Sequence, residues 1–142
     1  MNRIAFIICV VILFCNACKE DDSINRVPSV PVDITLSLNL PQWQAINSPG
    51  GWVYVTGGSR GIIIYRLSQD DFMAMDRHCP YEPQEFDRVD VLENNIIAED
   101  SLNCGSKFVL TDGSVTQGPA VFPLTTYQTT FNGTINQLRI FN

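Results

Sequence analysis

The sequence contains few basic residues and a single histidine. Nine lysines and arginines stand against 15 aspartates and glutamates, which gives a net charge of −6 over 142 residues. No basic run or stripe occurs, so the electrostatic pattern of a nucleic-acid-binding protein is missing. We therefore expect no nucleic-acid partner.

Long apolar runs are also missing. The longest extends from Ile4 to Phe14, about 11 residues, whereas a membrane-spanning helix needs about 20. A short basic segment, residues 1–3, precedes this run, and Ala17-Cys18 follows it. The arrangement resembles a bacterial lipoprotein signal in which Cys18 becomes the lipidated first residue of the mature chain. Ordinary signal-peptidase cleavage and an uncleaved anchor are the alternatives.

The chain is accordingly divided into three parts. We predict a signal peptide at 1–17, a flexible tether at 18–31 and one domain at 32–142. The acidic segment 19–22 after the cysteine resembles the tag of surface-exported lipoproteins, with a plain soluble tether as the alternative. The expected location is the bacterial outer membrane or cell surface, outside the cytoplasm, and the lipid anchor provides the contact with the membrane.

From Val32 onward the apolar residues follow the period-two pattern of half-buried strands. No segment has ten residues at helical spacing without glycine, proline or β-branched crowding. Ile62-Ile63-Ile64 is continuously apolar, which predicts a strand covered on both faces. Asn132-Gly133, with strands predicted up to Phe131 and from Thr134, is the strongest hairpin signal. We predict an all-β, antiparallel domain of about nine or ten short strands.

Several motifs occur in a fixed order between Asp76 and Tyr127 of this domain. They are Asp76-x-x-Cys79-Pro80, Gly105-Ser106-Lys107-Phe108, Asp112-Gly113, Gly118-Pro119-Ala120 and Pro123-Leu124-x-x-Tyr127. In this order they resemble a Rieske iron–sulfur domain, over about residues 53–142. The resemblance implies a Rieske-like antiparallel β-sandwich in which two loops converge on one site.

The ligand positions of that family are not all kept. A Rieske [2Fe–2S] centre takes two thiolates on one iron and two imidazoles on the other. By the resemblance, Cys79 stands at a thiolate position and Tyr81 at an imidazole position of the first loop. Ser101 stands at the thiolate position and Cys104 at the imidazole position of the second loop. The resemblance thus implies a degenerate site without a cofactor, and a [2Fe–2S] cluster is the alternative.

The single histidine, His78, precedes Cys79, whereas the family ligand follows the cysteine by two residues. We expect His78 to be a loop or packing residue. The acidic residues of the same region are expected to form a solvated face, with a weak Ca²⁺ site or a docking patch for a basic partner as alternatives; they are Glu82, Glu85, Asp87 and Asp90.

Maturation would leave Cys79 and Cys104 as the two cysteines without lipid, in a compartment where disulfides persist. Because the Rieske resemblance implies that their loops face each other, we expect a structural disulfide between them. A redox-active pair and a share of an intermolecular metal site are the alternatives.

The expected function is that of a lipid-anchored envelope or surface protein. Its Rieske-like domain would act without a cluster, as a binding or structural module for an unidentified protein partner. No catalytic residue is predicted, so an enzyme is disfavoured. A Rieske-type [2Fe–2S] electron-transfer protein and a thiol–disulfide redox protein are the alternatives.

The lipid anchor gives a direct prediction. Wild-type protein should incorporate labelled palmitate in the bacterial host, and Cys18→Ala should not, because the thioether to the lipid needs this sulfur. Intact-mass measurement of both proteins checks the same point. Equal labelling of the two would contradict the assignment.

Overall fold

The structure, a computed structural model, describes residues 27–83 and 87–142. Within them it contains one short 3-10 helix, Pro41–Ile46, and ten strands. The strands are β1 (Asp33–Ser37), β2 (Trp52–Val55), β3 (Ile62–Arg66), β4 (Phe72–Asp76), β5 (Asp90–Val91), β6 (Ile97–Glu99), β7 (Lys107–Val109), β8 (Val115–Gln117), β9 (Thr126–Asn132) and β10 (Gln137–Phe141). The prediction of an all-β domain with about ten short strands is confirmed. The predicted signal peptide, Cys18 and the tether up to residue 26 lie outside the described residues.

The strands form two antiparallel sheets. The larger has the order β1-β10-β9-β4-β3-β2, and the smaller has the order β5-β6-β7-β8. Within the larger sheet, β4 and β9 are joined through only two residue pairs, Ala74 with Tyr127 and Met75 with Thr126. None of the helical segments among the described residues is long and apolar enough to cross a membrane.

Strand β3 separates two hydrophobic clusters. Ile62 and Ile64 belong to the first cluster, which packs around β1, β9 and β10, and Ile63 belongs to the second, which also contains Cys79 and Phe108. All three isoleucines are fully buried. Because successive side chains of a strand point to opposite faces, the continuous apolar run is covered on both sides, as predicted.

The last hairpin differs from its prediction. It is present, but β10 begins at Gln137, so the predicted strand start at Thr134 is wrong and residues 133–136 form the loop. The Asn132 side chain accepts a hydrogen bond from the Thr134 amide at 3.0 Å, which holds the chain in a turn beyond Gly133. Asn136 then takes the left-handed conformation that closes the loop, with φ 51°.

The end of the predicted tether contacts the domain. The Asn142 side chain donates to the Val30 carbonyl at 2.9 Å and accepts from the Val32 amide at 3.0 Å. These contacts fix where the chain enters β1, beside the end of β10.

The Asp76 carboxylate joins four parts of the fold. It is fully buried and accepts hydrogen bonds from the amides of Ser59 (2.6 Å), Arg60 (3.2 Å) and His78 (2.8 Å). The Tyr127 hydroxyl donates a fourth bond at 2.6 Å. Burial raises the pKa of Tyr127, and its bond to Asp76 raises it further, so the phenol remains a donor. The β2–β3 loop, the end of β4, the segment after it and β9 therefore meet at one carboxylate.

Removing the phenolic donor should destabilise this junction. We expect Tyr127→Phe to lower the free energy of unfolding by about 1.5–3 kcal/mol, because a buried carboxylate loses a charge-assisted bond. Tyr65→Phe is the matched control: Tyr65 is also buried, but its hydroxyl bonds to no described residue, so its loss should stay within about 0.5 kcal/mol. Denaturant titration measures both, and equal losses would contradict the role given to Asp76.

Candidate functional site

The first loop of the site continues from β4. Its backbone pairs with residues 87–89: the Cys79 amide donates to the Asp87 carbonyl at 3.1 Å, and the Val89 amide donates to the Arg77 carbonyl at 2.7 Å. His78 forms the antiparallel bridge with Arg88 between these two bonds. This short ladder fixes the direction of Cys79, whose side chain is fully buried in the second cluster.

The second loop lies between β6 and β7 and closes on itself. The Asp100 amide donates to the Ser106 carbonyl at 3.0 Å, and the Gly105 amide donates to the Asp100 carbonyl at 2.8 Å. Gly105 has φ 69°, in the left-handed region that glycine adopts without strain. The Asn103 amide donates to Asp100 Oδ1 at 3.2 Å. This tight loop presents Cys104 toward the first loop.

The structure brings Cys79 and Cys104 together. Both are free thiols, and their sulfur atoms lie 3.7 Å apart. Cys104 is half-buried, and its sulfur also lies 3.0 Å from Ser106 Oγ. Burial raises the pKa of the Cys79 thiol. At neutral pH this thiol is therefore protonated and a poor nucleophile.

Asp100 is a site residue that the sequence reasoning missed. Its carboxylate is fully buried, and Oδ2 lies 3.4 Å from Cys104 Sγ. Ligand atoms of Cys79, Asp100 and Cys104 all lie within 4.8 Å of one another. The sequence offered one local indication: an aspartate just before a tight loop often bonds a nearby backbone amide. That pattern does not show that the other carboxylate oxygen of Asp100 lies beside the sulfur of Cys104.

Ser101 and Tyr81, the other two predicted cluster positions, do not join the group of Cys79, Asp100 and Cys104. Ser101 is exposed, and no described contact joins it to the two sulfurs. Tyr81 is half-buried and packs against the second cluster, beside Cys79. The neighbouring Glu82 carboxylate raises the pKa of Tyr81, which keeps its hydroxyl protonated.

His78 is fully buried and bonded through both ring nitrogens. Nε2 lies 2.7 Å from the Pro83 carbonyl oxygen, and Nδ1 lies 2.7 Å from Ser59 Oγ. Because a carbonyl oxygen only accepts, Nε2 carries the proton and Nδ1 accepts from the serine hydroxyl. Burial lowers the pKa of His78, so the ring is neutral.

Two of the predicted acidic residues have partners within the domain. Asp90 forms an ion pair with Arg77, and Asp87 accepts a hydrogen bond from the Asn103 side chain. The Arg77 guanidinium lies over the Tyr54 ring, 3.7 Å from its centroid. Glu82 is exposed, and Glu85 lies outside the described residues. Asp87 therefore joins the segment after the first loop to the second loop, and Asp90 pairs with the arginine that lies over Tyr54 of β2.

Comparison with known proteins identifies the fold. No protein-family model matches the chain, and no curated protein matches it either. Among solved structures it is similar to the plasma membrane Rieske protein of the cyanobacterium Synechocystis, with a TM-score of 0.56 and 18% identity, covering 78% of this chain and 99% of that one. A ferredoxin of carbazole 1,9a-dioxygenase from Nocardioides aromaticivorans matches at 18% identity and a TM-score of 0.48, covering 80% and 98%. The first similarity shows that the described domain has a Rieske-like fold.

Proposed function

We propose that this protein is a lipid-anchored envelope or surface protein whose Rieske-like domain holds no [2Fe–2S] cluster. The domain acts as a non-enzymatic binding or structural module. Lipid on Cys18 attaches the protein to the membrane, and the domain binds an unidentified protein partner. Fold alone does not determine function, so the proposal depends on the side chains at the two loops.

The bonding of His78 is the observation that carries this proposal. A Rieske centre requires two imidazole ligands, and the sequence contains one histidine. Both nitrogens of that ring are already bonded, to Ser59 and Pro83. The residues present therefore do not fit a Rieske cluster, and Tyr81 and Ser101 offer poor replacements for the missing ligands.

The purified protein should be colourless and free of iron. After anaerobic reconstitution with iron and sulfide, followed by dithionite reduction, we expect no rhombic electron paramagnetic resonance signal. A Rieske ferredoxin treated in parallel is the positive control. A rhombic signal with about two irons per chain would contradict the proposal.

We also propose that Cys79 and Cys104 form a structural disulfide in the envelope. The 3.7 Å separation of the sulfurs supports a bond that needs only a small local adjustment. Its formation removes two electrons and two protons, which pass to a disulfide-bonded oxidant of the envelope. The buried Cys79, with its raised pKa, favours a structural bond over a redox-active pair, because rapid exchange requires an accessible thiolate.

Thiol counting tests this bond without interference from other cysteines. If the bond exists, Cys104→Ser should show one more free thiol per chain than wild type under denaturing, non-reducing conditions, because it releases Cys79. If the thiols are free, the variant should show one fewer, and the proposal is then wrong. The closed loop of about 25 residues also predicts that reduction costs between about 2 and 4 kcal/mol of unfolding free energy.

A further inference from the structure

The group formed by Cys79, Asp100 and Cys104 includes a buried carboxylate that a disulfide between the two cysteines would not use. The structure places two sulfurs and one carboxylate oxygen within 4.8 Å of one another, where the two loops meet. We propose that, in the reduced protein, these three side chains bind one zinc-class divalent cation. The inference rests on the proposed function, because the same sulfurs cannot also hold an iron–sulfur cluster.

Two of the three distances between the donor atoms suit tetrahedral coordination. Zinc bonds of about 2.3 Å to sulfur and 2.0 Å to oxygen place two sulfurs about 3.8 Å apart, and a sulfur and an oxygen about 3.5 Å apart. The observed separations are 3.7 Å between the two sulfurs and 3.4 Å between Cys104 Sγ and Asp100 Oδ2. The third pair, Cys79 Sγ and the Asp100 carboxylate, lies within 4.8 Å.

The charge of Asp100 is a separate argument for a cation. Its carboxylate is fully buried, and in residues 27–83 and 87–142 it takes part in no ion pair. Burying a carboxylate without an opposite charge is costly even when its oxygens are hydrogen-bonded, and a bound cation would remove much of that cost. Oδ1 accepts a hydrogen bond from the Asn103 amide, and Oδ2 accepts one from the Cys104 thiol, whose proton a metal ion would replace.

The donor set selects the kind of metal. Two thiolates favour thiophilic ions such as zinc over magnesium or calcium, which prefer oxygen ligands. Binding releases the two thiol protons to solvent, and two thiolates and one carboxylate then carry three negative charges against two positive charges. Three protein ligands leave a fourth coordination position for water or another donor. The half-buried Cys104 gives the ion a route of entry.

The metal and the disulfide are alternative states of the same sulfurs. Oxidation removes the thiolates that bind the ion, so the oxidised protein should not bind it. Conversely, a bound ion should slow oxidation, because both sulfurs are then coordinated. Occupancy of this site would therefore depend on the redox state of the envelope.

Cobalt provides the spectroscopic test. The mature lipid-bearing protein, purified in detergent and reduced under anaerobic conditions, is titrated with Co²⁺ and then with Zn²⁺ in competition. We expect one cobalt per chain, a thiolate-to-cobalt charge-transfer band, the visible bands of tetrahedral cobalt, and displacement by zinc. Cys79→Ser should lose the charge-transfer band. Asp100→Asn should lower zinc affinity more than about 100-fold, since even loss of an outer-shell partner costs about 10–100-fold.

Asp112→Asn is the matched control, because Asp112 is exposed and bonds only its own turn at Ser114. It should bind as wild type does. Zinc should also protect wild-type thiols from alkylation, a readout that does not depend on how the variants fold. Absence of the cobalt bands, one metal shared by two chains, or binding retained in Cys79→Ser or Asp100→Asn would each overturn the inference. A rhombic iron–sulfur signal would instead overturn the proposed function, so the two failures are distinguishable.

Discussion

The buried carboxylate of Asp76 is the interaction on which the arrangement of the loops depends. A carboxylate removed from water is tolerated only when its oxygens are bonded, and here three amides and the Tyr127 hydroxyl bond it. Gly58 shows how closely the junction is packed: with φ 62°, a Cβ there would collide with the Asp76 carboxylate and the Tyr127 hydroxyl. Because the same carboxylate holds the His78 amide, it sets the direction in which the chain reaches Cys79.

The strands could be predicted from the sequence because buried and exposed side chains alternate from one residue to the next. Alternating apolar residues gave β1, and three consecutive isoleucines gave a strand buried on both faces. A period of two depends only on neighbouring residues, so it can be read without knowledge of the fold. The Rieske-like fold could also be predicted, because its motifs lie in turns and loops whose glycines and prolines are recognisable in the sequence.

The missing parts of the site depend on contacts between distant segments. Asp100 acquires its importance only when Cys104 turns back beside it, through bonds that close the loop from Asp100 to Ser106. His78 was expected to be a packing residue, but its two partners, Ser59 and Pro83, could not be named, because Ser59 lies 19 residues away on another hairpin. The last turn was misjudged because the Asn132 side chain competes with the backbone for the Thr134 amide.

The same pair of loops can support several chemistries, and the identity of a few side chains separates them. Two imidazoles would permit a cluster, but the single histidine is bonded within the fold. Two cysteines permit a disulfide, yet a disulfide is neutral and has no need of a buried carboxylate beside it. Burying the charge of Asp100 beside a neutral disulfide costs free energy, whereas beside a cation the same charge is stabilising. The bond from the Asn103 amide already gives Asp100 a part in closing the loop, and the proposed metal-bound state would in addition give its buried carboxylate a cationic partner.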